Sequence, residues 1–419
     1  MKIKEKSTEE KTIRKYLLRL RQPRIKKKEN RYYIRGYKGT EVIIRTDHEI
    51  LKRIAYRRTC VKQVCIPGRY ETETKYIYTR KENRRSRPVI VPGIPTGSET
   101  AMPRAVRTVL HALSYGGIEV EASRKLADLK KMDPMRIFYR TLDAEVYNGD
   151  YKVPIRLFFP TEEDMENGAA SGKKPPVILF FHGGGWVTES VENYQRVCAR
   201  MAQSTGQIVA SVEYRLAPEY RFPVGLMDCY AAAKTFYTNR FLLNTDPDRI
   251  TIMGDSAGGN LAAAVCMMAR DRREFFPKKQ ILIYPALNNC YTEESPFESV
   301  KTNGTGYLLT AEKMEDYLKL YESCPEDRRN PYFAPILEKD LRNMPDTLIL
   351  TAEFDPLRDE GEAFGEKLKE AGNRVEVHRI AGAFHGYFAL GIKFLHVQES
   401  FAYAVSYTHL RAHETREDL

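Results

Sequence analysis

Arg249-Ile250-Thr251-Ile252-Met253-Gly254-Asp255-Ser256-Ala257-Gly258-Gly259-Asn260 is the stretch whose reading decides the fold. A short apolar run ends in Gly-x-Ser-x-Gly, and an alanine-rich segment, LAAAVCMMAR, follows at once. Strand, tight turn and helix in that order push a serine hydroxyl out of the end of a sheet. Upstream, the apolar run PPVILFF leads into His182-Gly183-Gly184-Gly185-Trp186, which begins 74 residues before the serine. Three glycines after a buried strand cost conformational entropy. They make sense where bare backbone amides must approach a negatively charged oxygen.

Working outward, short apolar strands alternate with helical patterns. Strands are predicted near 176–181, 207–213, 249–253, 280–286, 347–352 and 374–380, and helices near 190–203, 224–238, 258–270, 311–322, 359–371 and 389–405. Two further strand-like segments lie near 137–147 and 152–159. The alternation predicts an α/β fold with a mostly parallel central sheet covered by helices on both faces.

Charge divides the chain unevenly. Residues 1–100 hold 28 Lys+Arg against 11 Asp+Glu, while the whole 419-residue chain carries only +11. An acidic body therefore follows a basic front. Residues 1–101 are read as a basic extension, either disordered or foreign to the native protein, and PVIVPGIPTGSE at its end reads as a linker. Its tyrosines lie among basic residues, as in some nucleic-acid binders, but no recognition motif is legible, so nucleic acid is not the expected partner. The folded body is placed at 102–405, opening with a helical stripe of Val106, Val109, Leu110 and Leu113 and a second helix over 120–131. Residues 406–419, SYTHLRAHETREDL, break the helical pattern and are read as a non-native tail. No apolar stretch reaches membrane-span length. No signal sequence is legible, and seven scattered cysteines point to reduced thiols in a cytoplasmic protein.

Ser256 is the candidate nucleophile. A serine hydroxyl is nearly inert at neutral pH and needs a base, itself oriented by an acid. On such a sheet these partners follow in the order serine, acid, histidine, each in a loop after a later strand. Asp355 lies just after the strand TLILTA, in Glu353-Phe354-Asp355-Pro356, and His385 lies just after the next strand, in Ala383-Phe384-His385-Gly386-Tyr387. Glu353 competes for the acid role, and Asp355 is favoured because it lies closer to the turn marked by Pro356. Asp359 and Glu360 read as charges favoured at a helix N-terminus. The amides of Gly184, Gly185 and Ala257 are the expected oxyanion hole. Trp186, the only tryptophan, and Asp255 are expected to line the substrate pocket. His182 reads as structural.

HGGGW, YRLAPE at 214–219, FPVGLMD ending at Asp228, GDSAGGN, DPLRDEG at 355–361 and the histidine of FHGY together resemble the hormone-sensitive-lipase branch of the α/β-hydrolase superfamily, over about 102–405. The resemblance implies the triad Ser256, Asp355 and His385, and a helical cap from about 103–133 with a contribution from 297–324. It also implies an architectural ion pair between Arg215 and Asp228. It further implies hydrolysis of short- to medium-chain carboxylic esters with no metal or organic cofactor. An amidase or arylformamidase with the same triad, and a non-catalytic small-molecule-binding protein on this fold, are the alternatives. The sequence leaves acyl preference and oligomeric state open.

Overall fold

The structure, a computed structural model, describes residues 25–28, 31–35, 41–45, 108, 110–111, 114, 120–128, 139–167, 174–239, 243, 245–390 and 395–414. Cys60, Cys65, the linker before residue 101 and most of the stripe from Val106 lie outside the described residues. Contacts divide the chain into two compact units, Met1–Thr96 and Gly97–Leu419. In the first, β1 (Ile25–Lys28), β2 (Arg31–Arg35) and β3 (Glu41–Arg45) form an antiparallel sheet.

The second unit runs α1 (Val120–Asp128), β4 (Thr141–Asn148), β5 (Tyr151–Phe158), α2 (Glu162–Asn167), β6 (Val177–Phe181), α3 (Val191–Thr205), β7 (Ile208–Val212) and α4 (Val224–Thr238). It continues through β8 (Ile250–Asp255), α5 (Ala257–Arg272), β9 (Lys279–Ile283), α6 (Glu298–Thr302), α7 (Ala311–Tyr321), β10 (Asp346–Phe354), α8 (Arg358–Glu370), β11 (Val375–Phe384) and α9 (Leu395–Glu414). The sheet order is β11-β10-β9-β8-β6-β7-β5-β4. Strands β6 to β11 are parallel, and β4 and β5 add an antiparallel edge.

Alternation along β6 shows why its sequence is apolar throughout. Val177, Leu179 and Phe181 face one core with α4 and α5, whereas Ile178 and Phe180 face a second core with α3 and α9. A strand buried on both faces has no polar side to offer. The predicted α/β architecture is thus the observed one.

Among the boundaries that differ from the sequence pattern, two lie beside the site. Strand β9 stops at Ile283, because Tyr284 turns the chain at φ 33°. Strand β11 runs on to Phe384, since a register shift opposite Ala352–Phe354 lets pairing resume at Phe354 and Phe384. Helix α9 continues to Glu414, past the point where the pattern was expected to break.

The YRLAPE segment is anchored as the resemblance implied. Asp228 on α4 is fully buried and receives Arg215 in a bidentate pair at 2.7 and 2.8 Å. The Arg215 amide at 3.0 Å and Asn148 Nδ2 at 2.7 Å complete its shell. Removing one partner of such a pair strands the other charge. Asp228→Ala is therefore expected to lower stability by about 3 kcal/mol, read as a fall in melting temperature with little change in kcat of the folded fraction.

Candidate active site

The turn after β8 is tight enough to dictate its residues. Ser256 sits at φ 54°, ψ −120°, a region that costs a non-glycine residue about 1–3 kcal/mol. Its amide donates to Ile283 O at 2.9 Å, and its carbonyl accepts from Ala286 N at 3.2 Å, so the neighbouring strand end holds the strain. A Cβ on Gly254 would lie 2.1 Å from Gly258 O, and one on Gly258 would lie 2.0 Å from Phe181 O. The two glycines of Gly-x-Ser-x-Gly therefore let α5 start directly against β6 and β8.

The sheet then assembles the three predicted side chains from three strand ends. Ser256 Oγ is 2.8 Å from His385 Nε2, and His385 Nδ1 is 2.7 Å from Asp355 Oδ2. Asp355 is fully buried, and its other oxygen accepts from Leu357 N at 2.8 Å. Ser256 and His385 are each 8% exposed, leaving a narrow approach to the hydroxyl. With Nδ1–H donated to a buried carboxylate, Nε2 is left as the acceptor facing serine. Glu353, the competing acid, instead accepts from Gly382 N at 2.5 Å and braces the histidine loop.

The glycine loop reaches the same place from β6. Gly184 and Gly185 have φ of 111° and 61°, left-handed values that suit glycine. An added Cβ would meet Thr188 O at 2.3 Å from Gly184 and the Tyr317 ring at 2.4 Å from Gly185. Their amides have no hydrogen-bond partner among the described residues. Ala257 opens α5 and offers an N-terminal N–H with no intrahelical acceptor. Above the loop, Arg124 of α1 donates to Val187 O at 2.9 Å and Ala217 O at 3.0 Å. It also grips both oxygens of Glu219, holding that carboxyl down to about 2.

Two expectations are corrected. Trp186 does not line a pocket: it is 3% exposed and stacks on Tyr321 of α7 with ring centroids 4.5 Å apart, so the indole is core packing. Asp255 does not face substrate either. Its Oδ1 accepts from Gly183 N at 2.9 Å, and its Oδ2 accepts from Tyr194 OH at 2.8 Å and Tyr284 OH at 3.1 Å. It is a buried strut under the glycine loop, and burial pushes its carboxyl above the usual range.

Sequence reasoning missed Tyr194 and Tyr284, which lie outside the motifs, and misread Glu360 as an ordinary helix charge. Glu360, taken as a helix N-terminal charge, is fully buried, and its Oε1 accepts from Leu287 N, Asn288 N and Tyr291 OH at 2.7, 3.2 and 2.8 Å. Burial pushes its carboxyl up to about 8. The folded protein therefore binds a proton that the unfolded chain releases above about 4.3. Stability from this group is full below that value and is lost as pH rises toward 8, with a slope approaching 1.4 kcal/mol per pH unit. Melting temperatures between pH 5 and 9 should show this fall in the wild type and a flatter profile in Glu360→Gln.

Comparison with known proteins identifies the family of this fold. The profile of the alpha/beta hydrolase fold family matches residues 178–389. An arylesterase of Saccharolobus solfataricus is 34% identical over 271 residues, 64% of this chain and 83% of the relative. An ethyl acetate hydrolase of Pseudomonas putida is 34% identical over 242 residues, 58% of this chain and 73% of the relative. Among solved structures, the hyperthermophilic esterase of Pyrobaculum calidifontis superposes with a TM-score of 0.65 at 35% identity, covering 74% of this chain and 97% of that one. The strand-end serine, its glycine loop and these matches together place the chain in the hormone-sensitive-lipase-like branch of the α/β-hydrolase family, as an enzyme of the serine-hydrolase type.

Proposed function

We propose that the protein hydrolyses short- to medium-chain carboxylic esters through an acyl-enzyme on Ser256. The observation that carries this reading is the continuous hydrogen-bonded line Asp355–His385–Ser256, at 2.7 and 2.8 Å, beside the amides of Gly184 and Gly185, which have no partner among the described residues. The names of the relatives, arylesterase and ethyl acetate hydrolase, support ester substrates over amides.

In this mechanism His385 Nε2 takes the proton of Ser256 Oγ as the oxygen attacks the ester carbonyl. The amides of Gly184, Gly185 and Ala257 hold the oxyanion, each donor contributing about 3 kcal/mol. Asp355 stabilises the imidazolium, which then protonates the departing alcohol. Water activated by the same histidine attacks the acyl-enzyme, and Ser256 is restored. Catalysis belongs to the unit that starts near residue 102, with 1–101 dispensable, whereas α9 carries the buried Tyr407 beyond residue 405. Ester substrate is the small-molecule partner. Among the described residues no helix is long and apolar enough to cross a membrane. The free thiols Cys198, Cys229, Cys266, Cys290 and Cys324 support a reducing, cytoplasmic setting.

Chromogenic esters of two to twelve carbons, offered to the full chain and to a version starting at Met102, test this reading. Turnover should peak on short acyl chains in both and fall roughly 10³-fold or more in Ser256→Ala. Absence of turnover on every ester, with turnover on matched amides, would instead favour the amidase reading. Asp355→Asn should reduce kcat by about 10⁴-fold, whereas Glu353→Gln should reduce it only several-fold. The reverse ranking would transfer the acid role to Glu353.

A further inference from the structure

Tyr284 is fully buried and belongs to no catalytic motif, yet it contacts both Asp255 and the His385 loop. Its backbone is strained at φ 33°, and its amide donates to Leu350 O at 2.6 Å, fixing it at the end of β9. The preceding residue, Ile283, accepts from the Ser256 amide. Its ring lies 4.7 Å from the His385 ring and 5.1 Å from that of Tyr387. The hydroxyl does two things at once. It donates to Asp255 Oδ2 at 3.1 Å and accepts from Phe388 N at 3.1 Å.

Asp255 in turn holds Gly183 N, at the root of the glycine loop. Phe388 lies three residues beyond His385. A line of hydrogen bonds thus runs from the oxyanion loop through Asp255 and Tyr284 to the histidine loop, inside a core where displacing one member leaves buried polar groups unmet. Tyr194, on α3, gives the same Asp255 oxygen a second hydrogen bond, at 2.8 Å.

We infer that Tyr284 is a positioning residue whose hydroxyl sets the oxyanion loop and the His385 loop at a fixed separation, so that base and oxyanion donors act on one carbonyl together. It touches no substrate atom and acts through Asp255 and the backbone of Phe388. The inference rests on the serine mechanism proposed above.

The test compares kcat, KM and the pH profile of kcat/KM on p-nitrophenyl butyrate for wild type, Tyr284→Phe and Tyr194→Phe, all as full chains. Tyr284→Phe keeps the ring and loses both hydrogen bonds. It should lower kcat about tenfold with KM within about twofold, and move the acid limb of the profile by about 0.3 pH unit or more. That limb reports the groups around His385, namely Asp355, Ser256 and the Tyr284 ring. Tyr194→Phe should lower kcat without moving the limb. Equal changes in the two variants would reduce Tyr284 to a second support for Asp255 and overturn the coupling, as would a Tyr284→Phe enzyme matching wild type.

Should Tyr284→Phe not fold, 3,5-difluorotyrosine at position 284 serves instead. It keeps ring and hydroxyl but makes the oxygen a weaker acceptor from Phe388 N. A moved acid limb supports the coupling, and an unmoved one overturns it. Failure of the underlying mechanism is separately visible, because Ser256→Ala would then retain turnover.

Discussion

The strained backbone of Ser256 is the constraint on which the rest of the site depends. At φ 54° the chain leaves β8 and enters α5 in a single residue, so the hydroxyl stands clear of the sheet edge. That geometry leaves no room for side chains at Gly254 or Gly258, whose added Cβ atoms would meet backbone within 2.1 Å. It also needs an external hold, which comes from the Ile283 carbonyl and the Ala286 amide of the next strand's exit. The elbow is therefore a property of three packed strands, even though one pentapeptide encodes its turn.

Buried carboxyls hold the loops around that elbow. Asp255 carries the glycine loop, Asp355 carries the histidine, Glu360 carries the chain after β9, and Asp228 carries the segment after β7. Each accepts from backbone amides as well as side chains, which suits loops that have no ladder partners of their own. Helix α7 closes the arrangement by laying Tyr317 against Gly185 and Tyr321 against Trp186. The only tryptophan is thereby spent on packing.

Much of this was legible beforehand. The apolar run of β6 and the Gly-x-Ser-x-Gly turn predicted a doubly covered sheet, and the order serine, acid, histidine picked out the side chains that the structure joins. The misreadings have physical causes. Asp255 and Trp186 lie beside the motifs, and adjacency in sequence says nothing about which way a side chain turns from a strand end. Glu360 occupies the first turn of a helix, where a carboxylate is ordinarily exposed, but this helix starts under the loop after β9.

Local sequence by itself determined the elements and the reacting groups, because hydrophobic period, turn glycines and nucleophile chemistry are written within a few residues of one another. Tertiary structure alone decided where β9 stops, that Glu360 is buried, and that Tyr194 and Tyr284 share one buried carboxylate. Those outcomes depend on distances between strand ends far apart in the chain. A tyrosine at the end of an apolar strand carries no mark of the partner its hydroxyl will find.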